Sequence, residues 1–241
     1  MIKRKQQQII HPSGEAGFTI IESLVAIIIV AIALAAIAPT IVIATATRVQ
    51  SKRVEQATQA ARTFIDGVKT TAVTIPATTI TLTQSAVATP RSLGDNLLNT
   101  TNMPVPTTST SLYCVTKDSN NNLAITNPDC TTPPTGVTNL FYIQAVKVIV
   151  TGSTPTDSTG LPKDGYRLGI RVYRSDIDFT KTVSASNGDK KTQRIFTGSL
   201  GDRQSPLVEM TTEIGSKNTS FNALCQRLAI TGSTTTNSSC N

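Results

Sequence analysis

Residues 14–47 read GEAGFTIIESLVAIIIVAIALAAIAPTIVIATAT, and this stretch decides the architecture. Residues 23–47 are 25 consecutive positions without a formal charge. A helix needs roughly 20 apolar residues to cross a hydrocarbon layer about 30 Å thick, so the stretch reads as a membrane-spanning helix. What precedes it, MIKRKQQQIIHPSGEAG, is short, basic and polar, with Lys3, Arg4 and Lys5 against Glu15. An ordinary secretory signal places its small-residue cleavage stretch after the apolar run. Here Gly14, Ala16 and Gly17 come before it, so a cut at that point leaves the apolar segment on the mature chain.

Two residues in this segment cost free energy. A carboxylate at Glu22, near the start of a membrane span, is expensive in hydrocarbon and marks a functional partner. Pro39 withdraws a backbone donor from the carbonyl of Ala35 and is expected to kink or locally open the helix.

The run Gly17-Phe18-Thr19-Ile20-Ile21-Glu22-Ser23-Leu24 resembles the type IV prepilin motif. In that family a membrane peptidase cuts after the glycine and methylates the new N-terminal residue, usually phenylalanine. The fifth mature residue is a glutamate, and many members carry a proline at the twenty-second. The resemblance therefore implies cleavage between Gly17 and Phe18, N-methylation of Phe18, and assembly roles for Glu22 and Pro39. The ammonium of Phe18 on a neighbouring subunit is a natural partner for Glu22: the pair would neutralise both charges in a filament core and fix axial register. The resemblance covers about residues 14 to 70; beyond them it is one of layout. The segments TRVQSKRVEQATQAARTFIDGVKT and PLVEMTTEI also resemble pseudopilins associated with polysaccharide secretion in filamentous cyanobacteria.

After the span, Val49, Val54, Ala57, Ala61, Phe64, Ile65 and Val68 recur at helical spacing with charged residues between them, so the helix is expected to continue to a stop near Gly67. Such a helix is about 75 Å long at 1.5 Å per residue. Residues 70–112 are rich in Thr and Pro and predict an irregular connection with short strands such as 78–82. Strand signals follow at 137–150, 166–173, 181–185, 194–200 and 207–214, separated by Gly, Asp, Ser and Pro. Within 166–173, Tyr166, Leu168, Ile170 and Val172 alternate with Arg167, Gly169 and Arg171, which predicts one buried face and one solvated face. About four antiparallel strands fit these lengths. The expected fold class is α+β: a long N-terminal helix, transmembrane then amphipathic, packed on a C-terminal antiparallel sheet head. The expected divisions are a leader at 1–17, a transmembrane or filament-core helix at 18–47 and its amphipathic continuation at 48–70. A connecting region with a disulfide loop at 71–136 and the head with a second disulfide loop at 137–241 complete the chain.

Four cysteines stand at 114, 130, 225 and 240. Pairs Cys114 with Cys130 and Cys225 with Cys240 are the simplest of three connectivities, the alternative being free thiols. Pairing places the head in an oxidising compartment. Positive charge flanks both ends of the span, at Lys3, Arg4 and Lys5 and at Arg48, Lys52 and Arg53, so the positive-inside rule is nearly tied. The leader chemistry and the cysteines break the tie. The expected precursor is a single-pass inner-membrane protein with a periplasmic head, which later enters a periplasmic or extracellular filament.

The formal net charge is +7, and removal of the leader leaves +5 on the remaining chain, with basic residues scattered rather than blocked. That pattern solvates a surface; contact with DNA or an acidic polysaccharide is the alternative. His11 is the only histidine and lies in the leader, which removes histidine-dependent triads and metal sites from the mature chain. Residues 188–192, GDKKT, lack the first glycine and spacing of a phosphate-binding loop. Asp118, Asn120, Asn122 and Asp129 copy part of a calcium-loop spacing, yet Leu123 replaces its turn glycine and Asp129 its bidentate glutamate. No cofactor and no catalysis are expected. The expected partners are other pilin or pseudopilin subunits, the prepilin peptidase, the inner-membrane assembly machinery and the membrane.

Overall fold

A computed structural model describes residues 19–85, 98–118, 120, 122–126, 128, 130, 139–152, 162–187, 191–193 and 202–228. The chain divides into two units, residues 1–45 and 46–241. Helix α1 (Ile20–Lys69) runs 50 residues with Pro39 inside it. It is followed by β1 (Thr79–Leu82), β2 (Tyr113–Lys117), β3 (Leu123–Ile125), β4 (Phe141–Val150), β5 (Tyr166–Arg174), β6 (Val208–Ile214) and helix α2 (Phe221–Leu228).

In the first unit the apolar side chains of α1 are uncovered: from Ile20 to Ile43 the large hydrophobic residues are 48–87% exposed. Ser23, Thr40 and Thr45 donate their hydroxyls to the carbonyls of Ile20, Ile37 and Val42, so these polar groups are satisfied within the helix. That is the condition for placing them in hydrocarbon.

In the second unit α1 buries Ala57, Ala60, Ala61, Phe64, Ile65 and Val68, a stripe at three- and four-residue spacing whose alanines let the helix sit close to the sheet. Phe64 meets Tyr113 edge-on with ring centroids 4.7 Å apart. Val49, expected on this stripe, is exposed. The helix ends two residues past Gly67, near the expected stop. A Cβ on Gly67 would lie 2.5 Å from Val73 Cγ2, because the chain folds back and Val73 N–H donates to the Gly67 carbonyl. Lys69 is the last helical residue, and Thr71 beyond it adopts a left-handed φ of 61°.

The six-stranded sheet has the order β3-β2-β4-β5-β6, with β1 also on β4. Along one edge of β4, residues 141–143 pair antiparallel with β2 and residues 147–150 pair parallel with β1. The other edge takes β5 over eight antiparallel pairs, Phe141↔Arg174 to Val148↔Arg167. The α+β expectation holds, with six strands among the described residues where about four were anticipated. Strands β1, β2 and β3 come from the 71–136 stretch, so the 136/137 boundary does not separate connection from sheet. Residues 181–185 form no strand, although Val183 and Ala185 are buried. The segment 194–200 lies outside the described residues.

Strand β5 is buried on both faces, contrary to the expectation of a solvated one. The α1 side carries Tyr166, Leu168, Ile170 and Val172 in the main core. Over the opposite face lies a second core of Leu82, Met103, Val146 and Val148, with Ile80 and Leu98 against it. A Cβ on Gly169 would come within 2.5 Å of Leu98 Cδ2, so the missing side chain is what lets residue 98 seat there.

Candidate functional site

Local backbone chemistry organises the start of α1. Thr19 is its cap: Glu22 N–H donates to the Thr19 carbonyl at 3.0 Å and to Thr19 Oγ1 at 3.3 Å. Thr-x-x-Glu is the capping-box spacing, which the sequence already displayed. The Glu22 carboxylate also lies where the helix dipole favours negative charge. Glu22 is exposed in the first turn, and Pro39 lies within the same uncovered apolar segment. The expected cleavage residues, Gly17 and Phe18, lie outside the described residues.

The head contains a buried ladder of charges. Arg171 and Arg167 are only 0% and 5% exposed. Arg171 Nε donates to Glu209 Oε1 at 2.9 Å, and Arg167 Nε to Glu213 Oε1 at 2.7 Å. Arg227 of α2 reaches the second oxygen of Glu213 at 2.9 Å and also donates to the carbonyls of Asp164 and Gly165. Arg171 further donates to the Met103 carbonyl, and Glu209 accepts from the Ser186 backbone and hydroxyl. These arginines were expected on a solvated face, where a ligand could meet them. The covering segment 98–103 and helix α2 bury them instead. Their spacing carried the signal: Arg167 and Arg171 are four apart on one strand, as are Glu209 and Glu213 on the next, and antiparallel register superimposes the pairs.

Burial acts on the phenols as well. It pushes Tyr166 up to about 12 and raises Tyr113 and Tyr173 further, well above the ordinary phenol range. For Tyr113, proximity to Tyr166 adds to desolvation, and its hydroxyl donates to the Thr74 carbonyl at 2.8 Å. Asp178 is shifted down by the Thr180 hydroxyl and then by the Thr180 backbone N–H.

Cys114 and Cys130 are joined, with Cα atoms 5.6 Å apart, and both are buried. Cys225 is also disulfide-bonded; Cys240 lies outside the described residues. Asp118, Asn120 and Asn122 form the turn between β2 and β3, where Asp118 Oδ1 accepts the N–H of Asn120 at 2.9 Å and of Asn122 at 2.7 Å. Those bonds occupy the carboxylate as a turn former. Asp129 lies outside the described residues, and among the described residues no group of three acidic, Cys or His side chains is placed to hold a metal.

The family model for the prokaryotic N-terminal methylation motif matches residues 12–38. This is the type IV pilin and prepilin cleavage signal. Comparison with curated proteins and with solved structures gave no match.

Proposed function

We propose that this chain, which carries a prepilin-type methylation motif at residues 12–38, is a minor structural subunit of a type IV pilus or of a type II secretion-like pseudopilus. The motif supports a processed, pilin-like subunit rather than an enzyme. The observation that carries the reading is its position: the motif runs directly into an apolar helix whose side chains are uncovered from Ile20 to Ile43. Such a surface requires lipid before assembly and other apolar helices after it.

In this reading the prepilin peptidase cuts after Gly17 and methylates Phe18. The precursor spans the inner membrane once with its head in the periplasm. Glu22 then meets the Phe18 ammonium of a neighbouring subunit as the helix is extracted, and Pro39 supplies local give in the helix. A bridged head favours a specialised subunit over the bulk one. The partners are other pilin or pseudopilin subunits, the peptidase and the inner-membrane assembly machinery. Mass spectrometry of the mature N-terminus tests the proposal. A chain beginning at methylated Phe18 is expected; a retained Met1, or cleavage beyond residue 47, would overturn it.

A further inference from the structure

Beyond the charge-free run 23–47, α1 continues as RVQSKRV at residues 48–54. Arg48, Lys52 and Arg53 are gathered there, spread over about 7.5 Å along the helix. Gln50, 6% exposed, donates its Nε2 to Gln193 Oε1 at 2.9 Å and so marks the side of α1 that faces the head. Arg48 and Lys52 lie two positions to either side, about 200° around the helix, and both are exposed. Arg53 is half-buried. Among the described residues no anion pairs with any of the three, and the first acidic residue beyond the run, Glu55, joins none of them.

Cations alone identify no ligand; what adjoins these does. Arg48 follows the charge-free run directly, so the chain itself holds the cluster at the end of a surface that needs hydrocarbon. As a helix those 25 residues measure about 37 Å, more than the roughly 30 Å of hydrocarbon, so the end of the run reaches the headgroup boundary. The headgroup layer on each side is about 5–8 Å deep, close to the spread of the three cations. Val49, among them, is 47% exposed, so apolar surface continues between the charges. Long arginine and lysine stems can lie along such a surface while their charged ends reach outward.

We infer that Arg48, Lys52 and Arg53 bind the headgroup phosphates of anionic phospholipids, in the leaflet at the C-terminal end of the span. The grip fixes the depth of the span until the helix is withdrawn. The inference rests on the proposed membrane-spanning precursor and deepens it, since it assigns a lipid chemistry to named residues. After cleavage at Gly17 this cluster is the basic group that stays beside the span, because Lys3, Arg4 and Lys5 leave with the leader. A zwitterionic headgroup compensates its own phosphate, whereas an anionic surface strengthens binding about fivefold for each nearby cation.

The test reconstitutes the full chain in lipid nanodiscs, both faces of which are open to solution. The discs are phosphatidylcholine with a minor share of either phosphatidylglycerol or phosphatidylcholine carrying a photoactivatable headgroup, and adducts are located by mass spectrometry. Adducts at residues 48–53 should form at least about tenfold more from phosphatidylglycerol. Arg48→Gln with Lys52→Gln and Arg53→Gln should lower that yield at least about tenfold. Adducts at Lys3, Arg4 and Lys5, present in every variant, serve as the internal standard. Arg62→Gln with Lys69→Gln and Lys117→Gln removes the same charge from exposed sites elsewhere and should label as the parent does. Thermal unfolding verifies each variant; if the cluster triple is unfolded, Arg48→Gln with Lys52→Gln, both exposed, replaces it with an expected loss of at least about fivefold. The assignment is overturned by parental labelling of the cluster variant, or by poly-glutamate at matched charge suppressing adducts as strongly as unlabelled phosphatidylglycerol. A chain that enters the disc but labels equally with both lipids refutes the cluster alone; one that stays outside the disc overturns the spanning precursor as well.

Discussion

Arg171 on β5 stands directly opposite Glu209 on β6, and its Nε donates to the carboxylate at 2.9 Å with the arginine side chain fully removed from solvent. Both charges have left water, so each depends on the other. Arg171→Ala should destabilise the head by about 3–5 kcal/mol, because Glu209 is left buried and unpaired. Arg171→Met combined with Glu209→Leu should recover most of that loss, since apolar replacement of a whole buried pair is commonly neutral or better. Thermal unfolding of the detergent-solubilised chain measures both; a single variant with parental stability would contradict the buried-pair account.

Glu22→Ala should leave insertion intact, since the apolar span that drives it is unchanged. Assembly should fall at least about tenfold, the consequence of losing about 1.4 kcal/mol at each contact between subunits. Membrane fractionation reads the first quantity and sheared filament yield the second. Parental filament yield would contradict the pairing of the Glu22 carboxylate with a neighbouring Phe18 ammonium, since the helix cap uses the Glu22 backbone N–H, which alanine retains.

Replacing Cys114 and Cys130 by serine reopens a loop of 16 residues. In the chain-entropy treatment this costs about 3 kcal/mol. At about 2–4 °C per kcal/mol for a head of this size, Tm should drop by roughly 10 °C. Paired substitution is preferable to reductant, which would also open the bridge at Cys225.

Alkali should unfold the head earlier than a chain without buried phenols. Tyr166 ionises at about 12 in the fold against an ordinary 10.0, and Tyr113 and Tyr173 are shifted in the same direction. The unfolded chain therefore releases these protons first, so unfolding loses protons and stability falls as pH rises. Their contribution is fully present below pH 10 and declines from 10 through 12. Urea midpoints between pH 8 and 12 should show that decline. Tyr173→Phe should flatten part of it, and an unchanged slope would contradict the assignment.

The apolar span, the stripe Ala57, Ala61, Phe64, Ile65 and Val68, and the cores of β4, β5 and β6 were legible because each repeats at the period of its own element. The Cys114–Cys130 pairing was legible from spacing. The second face of β5 was not. Its cover comes from Leu98 and Met103, isolated apolar residues in a Thr- and Pro-rich stretch that has no period to read. Without that cover, Arg167 and Arg171 read as surface residues; with it, they read as half of an ion ladder. Residues 181–185 misled in the opposite sense, since Val183 and Ala185 alternate inward from a loop without a ladder partner.

The shared edge of β4 also bears on how the head forms as the chain emerges N-terminus first. Thr79 finds its ladder partner only when Lys147 arrives, and Tyr113 only when Ile143 does. Until then the β1 and β2 segments carry unmet backbone donors and acceptors. Folding of the head is therefore gated by delivery of one late strand, a non-local closure of the slow kind. A chain halted before residue 141 would present open strand edges, the form of this protein most exposed to aggregation and proteolysis.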